Sequence, residues 1–72
     1  MIVKLEVYSD GEYWCARGLG VDIFTQGKTY EQLLENIKEA TALHFEESQK
    51  QGERIQVLIL SELELPSVYQ TA

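Results

Sequence analysis

The chain has a single cysteine, Cys15, which excludes an internal disulfide and any cysteine-built metal cluster within one copy. Its one histidine, His44, leaves no set of imidazoles for a metal site. Basic residues are scarce: 6 Lys and Arg stand against 12 Asp and Glu, a formal charge of −6. That balance opposes the counterion-releasing attraction to phosphates, so direct nucleic-acid binding is disfavoured. It suits a basic partner, or it keeps a small protein soluble. No apolar run approaches the length of a signal-peptide core or a membrane span, so no membrane partner is expected and the expected compartment is the cytoplasm. Repeats, low-complexity runs and linkers are also missing. With 72 residues there is room for one domain, near the size where a core only just offsets chain entropy, and oligomerisation is an expected supplement.

What is present is a chain of sharply marked elements. Ile2 to Tyr8 alternates Val3, Leu5 and Val7 against Lys4, Glu6 and Tyr8, the pattern of a strand with one buried face. Asp10-Gly11 predicts a two-residue type I′ hairpin, which sets Tyr8 opposite Tyr13, Val7 opposite Trp14, Leu5 opposite Ala16 and Lys4 opposite Arg17. Val3, Leu5, Val7, Trp14 and Ala16 then share the face that meets the helix, with Trp14 in the core. Gly18-Leu19-Gly20 is a turn, and Val21 to Gln26 a third strand ending at Gly27, where a positive φ is expected. Thr29 and Gln32 fit a capping box, so a helix begins at Tyr30. Leu33, Leu34, Ile37, Ala40, Thr41, His44 and Phe45 form its apolar stripe, and it runs as one amphipathic helix to Gln51, with Gly52 as its left-handed cap. Arg54 to Ser61 is a fourth strand, apolar on both sides and expected to be buried on both. Residues 1 to 62 form the domain and 63 to 72 a tail, in which Pro66 ends any ladder. Strand, strand, strand, helix, strand with a right-handed crossover gives an α+β fold: a four-stranded mixed sheet of order 3-2-1-4 with one helix on one face.

Tyr13-Trp14-Cys15-Ala16, Thr25-Gln26-Gly27-Lys28-Thr29, Glu35-Asn36 and Glu39-Ala40 together resemble the pattern of HicB-like antitoxin domains, over roughly residues 1 to 62. The resemblance implies a truncated ribonuclease-H-like fold and no enzymatic activity of its own. It also implies a small basic partner, an mRNA-cleaving toxin of the HicA type. Many members carry a further DNA-binding domain; none is expected here after the fourth strand.

On that reading the toxin meets the acidic helix face formed by Glu31, Glu35, Glu39 and Glu46, through charge complementarity. The alternative is a stand-alone oligomeric domain with a structural or regulatory role and no toxin. A residual metal-dependent nuclease would need converging carboxylates, yet Glu6, Glu35, Glu39, Glu62 and Glu64 are spread over both sides of the fold. Cys15 lacks a histidine base, since His44 belongs to the helix side, so Cys15 reads as a small hydrophobe and His44 as a partly buried helix residue. No catalytic residue, cofactor or metal is implied. Tyr8, Tyr13, Cys15, Leu58 and Leu60 make the helix-free side of the sheet apolar, and a two-fold homodimer is expected to cover it. The tail, with Leu63, Leu65, Val68 and Tyr69, is the rival cover.

Overall fold

In the computed structural model, which describes residues 1–62 and Leu65, the elements follow in the order β1 (Ile2–Ser9), β2 (Trp14–Gly18), β3 (Phe24–Gly27), α1 (Tyr30–His44), α2 (Glu46–Lys50) and β4 (Gln56–Ser61). The expected fold-back of the tail lies outside the described residues. The four strands form one mixed sheet of order β3-β2-β1-β4, with β1 antiparallel to β2, β2 antiparallel to β3, and β1 parallel to β4. This is the anticipated α+β fold and strand order.

The first hairpin departs from the expected register. Ser9 pairs with Trp14, Tyr8 with Cys15, Val7 with Ala16, Glu6 with Arg17 and Leu5 with Gly18, because the loop is four residues long. Asp10 is the cause. Its Oδ1 accepts from the Glu12 and Tyr13 backbone N–H groups at 2.9 and 2.7 Å, and its own N–H donates to the Tyr13 carbonyl at 3.0 Å. A type I′ turn needs positive φ at both central residues, but only Gly11 has it, at 97°. Local side-chain bonding by Asp10 outcompetes the two-residue turn. The register moves by two, an even number, so every strand residue keeps its face.

The core is Val3, Leu5, Val7, Ala16, Ile23, Leu33 and Ile37, closed between the sheet and α1. Trp14 is not in it. Placed opposite Ser9 at the hairpin end, it stays 37 % exposed, its ring edge-on to Tyr30 with centroids 5.4 Å apart. The third strand is shorter than Val21 to Gln26: a loop precedes it, in which the Gly18 N–H donates to the Ile23 carbonyl at 2.8 Å.

Thr29 caps α1 as expected, its Oγ1 accepting from the Gln32 N–H at 3.0 Å. The return bond of the box falls one residue earlier: Gln32 Oε1 accepts from the Lys28 N–H at 2.8 Å. Gly27 has no positive φ; its role is close approach. A Cβ there would lie 2.7 Å from the Leu33 backbone nitrogen and 3.0 Å from its Cα. The expected single helix breaks at Phe45 (φ −111°, ψ 32°), whose N–H still closes α1 on the Thr41 carbonyl while its carbonyl opens α2 by accepting from Gln49. Phe45 turns in against the core, and His44, expected to be partly buried, is exposed with its ring against that of Phe45. Gly52 ends the segment with φ 84°, the left-handed stop anticipated there.

β4 differs most from its sequence reading. As the edge of the sheet it is paired on one side, and α1 leans over β3 and β2 rather than over it. Val57 and Ile59, on the helix side, are therefore only half-buried, while Leu58 and Leu60, on the helix-free side, are 46 % and 41 % exposed.

Candidate protein-binding surfaces

On α1, Glu31, Glu35 and Glu39 recur at four-residue spacing and are all exposed, so they form one acidic stripe. Glu46 is exposed as well, but it sits on α2 beyond the break at Phe45 and does not continue that line. Glu35 Oε2 accepts from Lys38 Nζ at 3.1 Å, an open i,i+3 pair of small energetic weight.

Beside the stripe runs a groove that the sequence did not announce. Because α1 leaves β4 uncovered, a cavity of about 380 Å³ opens between them, with Leu34, Ile37, Val57 and Ile59 beneath and Glu31, Glu35 and Lys38 along its rim. An apolar floor under a rim of two carboxylates and one ammonium is complementary in chemistry to an apolar side chain with cations beside it. The available signal was the strand order itself: a last strand beside the first is an edge strand, and its two apolar faces then mean exposure rather than double burial.

The helix-free face of the sheet carries the other set of residues. Tyr8 is 38 % exposed, and Leu58 and Leu60 stand open. Tyr13, expected on this face as a strand residue, is half-buried in the hairpin loop ahead of β2, because the loop is two residues longer than the sequence suggested. Cys15, expected to belong to this open patch, is 2 % exposed within the single chain and contributes no surface. Its Sγ lies 3.8 Å from Asp10 Oδ2 and from the Tyr13 carbonyl oxygen, under the hairpin loop. Desolvation, with the Asp10 charge second, raises the Cys15 thiol above its ordinary range. The Tyr13 and Glu12 N–H groups lower the Asp10 carboxyl. Both shifts favour a neutral thiol against a charged carboxylate, the reverse of what a nucleophile needs. Between the open apolar residues, Arg17 Nε donates to Glu6 Oε1 at 2.6 Å across the strands, and its guanidinium sits 6.0 Å from the Tyr8 ring centroid.

Among the described residues the carboxylates weighed for a nuclease do not converge; Glu64 lies outside those residues. Glu6 is engaged with Arg17 on the helix-free face, Glu35 with Lys38 on the helix, and Glu62 is exposed past the end of β4. Among the described residues no three of His, Cys, Asp and Glu come close enough to hold a metal ion. Cys15 and His44 lie on opposite sides of the sheet, the first in its helix-free face and the second on the helix. No helix among the described residues is long and apolar enough to cross a membrane.

No family profile matches the chain. No solved structure matches it either. A UPF0150 protein from Archaeoglobus fulgidus is 42 % identical to it over 50 residues, a stretch covering 69 % of this chain and 73 % of that protein.

Proposed function

The chain belongs to the UPF0150 family, and from that premise we propose that it is a non-enzymatic protein-binding module of the HicB-like antitoxin type. Its partner on this reading is a small, basic, HicA-type RNA-cleaving toxin. The observation that carries the proposal is the acidic stripe of Glu31, Glu35 and Glu39 running beside the apolar groove of Leu34, Ile37, Val57 and Ile59. Such a surface pairs charge complementarity, which speeds encounter and selects basic partners, with an apolar floor that slows release. The Gln26-Gly27-Lys28-Thr29 corner, the most specific part of the HicB-like resemblance, carries the cap at which this helix begins.

The test is growth rescue. A small basic protein encoded beside this chain is expected to arrest growth when expressed alone and to be neutralised by co-expression. Replacing Glu31, Glu35 and Glu39 together by Lys is expected to abolish rescue while leaving the fold, read by circular dichroism, unchanged. Full rescue by the triple variant would sink the assignment of the site, and absence of any complex with the neighbouring protein would sink the antitoxin reading.

A second reading, that the chain is a homodimer, is favoured by the open Leu58, Leu60 and Tyr8 on the face that no helix among the described residues covers. It is compatible with the first, since the acidic stripe lies on the other side of the sheet.

A further inference from the structure

We propose that two copies join edge to edge, β4 pairing antiparallel with β4 of a second copy in the register that sets Leu58 opposite the partner's Leu58 and Arg54 opposite the partner's Glu62. This rests on the homodimer reading above and gives it an edge contact: Leu58 meets its own copy while Tyr8 stays on the open face, and Val57 and Ile59 lend only backbone groups to the edge, their side chains remaining in the groove.

The edge is unguarded. Gln56–Ser61 has no charge and no proline, and among the described residues no helix lies over it; these are the devices that normally keep an exposed strand from pairing. The opposite edge differs: β3 has four residues, and the Gln26 carbonyl already accepts from Asn36 Nδ2 at 2.7 Å. On β4 the free backbone groups can be assigned. The Met1 amino group donates to the Arg54 carbonyl at 2.9 Å, and the Gln56 N–H to the Met1 carbonyl at 2.9 Å. Arg54, Gln56, Leu58 and Leu60 therefore turn their backbone polar groups toward β1. Ile55, Val57, Ile59 and Ser61 turn theirs outward, where nothing among the described residues meets them.

A two-fold axis perpendicular to the sheet makes the joined edges antiparallel and passes midway between one residue and the same residue of the partner. Through Leu58 it pairs Val57 with the partner's Ile59 and Ile55 with the partner's Ser61, and all of these have outward backbone groups. Leu58 then forms a narrow, non-hydrogen-bonded pair with its own copy. Arg54 and Glu62, both exposed, lie just outside the two ends of β4. Continued strand alternation puts them on Leu58's face, where they meet as opposite charges at both ends of the interface. Moving the axis to Val57 sets Arg54 against the partner's Leu60, and moving it to Ile59 sets Gln56 against the partner's Glu62. Each shift loses both Arg54–Glu62 pairs, although the Ile59 register sets Arg54 against the partner's residue 64, an acid outside the described residues. Charge complementarity therefore favours a second copy as the occupant, and among pairs of described residues it favours the Leu58 register.

The test uses the full chain. Sedimentation is expected to show a dimer that weakens about tenfold or more with Arg54→Glu or Glu62→Arg and recovers in the double charge swap. All four positions to be varied are exposed, and circular dichroism checks that each variant folds. Mild oxidation is expected to link Leu58→Cys into a disulfide dimer, because Cα atoms about 4.5 Å apart suit the bond. Leu60→Cys, opposite Gln56, is expected to stay reduced. A monomer at high micromolar concentration would overturn the proposal, including one whose β4 edge is occupied only by an added basic protein. A dimer that links through Leu60→Cys instead, or ignores the charge swap, overturns the edge register while leaving the homodimer reading intact.

Discussion

Thr41 is the polar side chain that burial treats worst: among the described residues it is the buried polar residue of the core, 4 % exposed, and its Oγ1 has no hydrogen-bond partner. A hydroxyl enclosed without a partner costs about 1–3 kcal/mol relative to one left in water. Val has the same shape and nearly the same helix propensity. Thr41→Val is therefore expected to raise stability by about 1 kcal/mol, read as a higher urea midpoint at unchanged slope. Unchanged or lower stability would mean that the hydroxyl is satisfied, for instance by a water. Cys15 illustrates the opposite case. Equally enclosed, it keeps its weak donor near Asp10 and the Tyr13 carbonyl and stays protonated, so its burial leaves no unpaired charge.

Among the elements, the corner from Gly27 to Gln32 does most to position the surface proposed for binding, since it fixes where α1 starts relative to β3. Two different forces hold it. The Thr29 cap satisfies an orphan N–H, whereas Gly27 allows the Leu33 backbone to come within contact of the strand. Thr29→Ala is expected to cost about 1 kcal/mol. Gly27→Ala should cost more, about 2 kcal/mol, because its Cβ strikes backbone atoms that cannot rotate away. Thermal melts of the two variants check the ranking, and equal losses would show that the helix can shift to admit the methyl. Helix start, Gly52 stop, strand order and the buried face of β1 were all legible in the sequence, because each follows from local pattern or cap chemistry. The hairpin register was not, since Asp10-Gly11 permits a two-residue turn and the Asp10 carboxylate, choosing the Glu12 and Tyr13 N–H groups, decides against it. Nor was the break at Phe45, which periodicity carries straight through although the ring must turn inward. Of the candidate site, the stripe of Glu31, Glu35 and Glu39 was legible from four-residue spacing. The groove was not, because it depends on how far α1 leans from β4.

At the scale of the whole molecule, the sheet separates charges that a nuclease would need together. In-line cleavage of a phosphodiester by two metal ions requires carboxylates that bridge ions about 4 Å apart. Here Glu6 is committed to Arg17 on one face, Glu35 to Lys38 on the helix covering the other, and Glu62 follows the far end of β4. Repositioning them would require dismantling the sheet, because Glu6 and the core residues Leu5 and Val7 alternate along the same strand. The net charge of −6 acts in the same direction, repelling a polyanion at a distance where no individual contact matters. The purified chain is therefore expected to leave RNA, DNA and RNA–DNA hybrid uncut with magnesium or manganese present, and to bind none of them measurably at physiological salt. Gel assays and fluorescence anisotropy with labelled 20-mers, about two turns of duplex, check both halves. Metal-dependent cleavage that Glu6→Gln abolishes would refute this view, because it would show that the carboxylate paired with Arg17 reaches a reactive arrangement absent from the folded sheet.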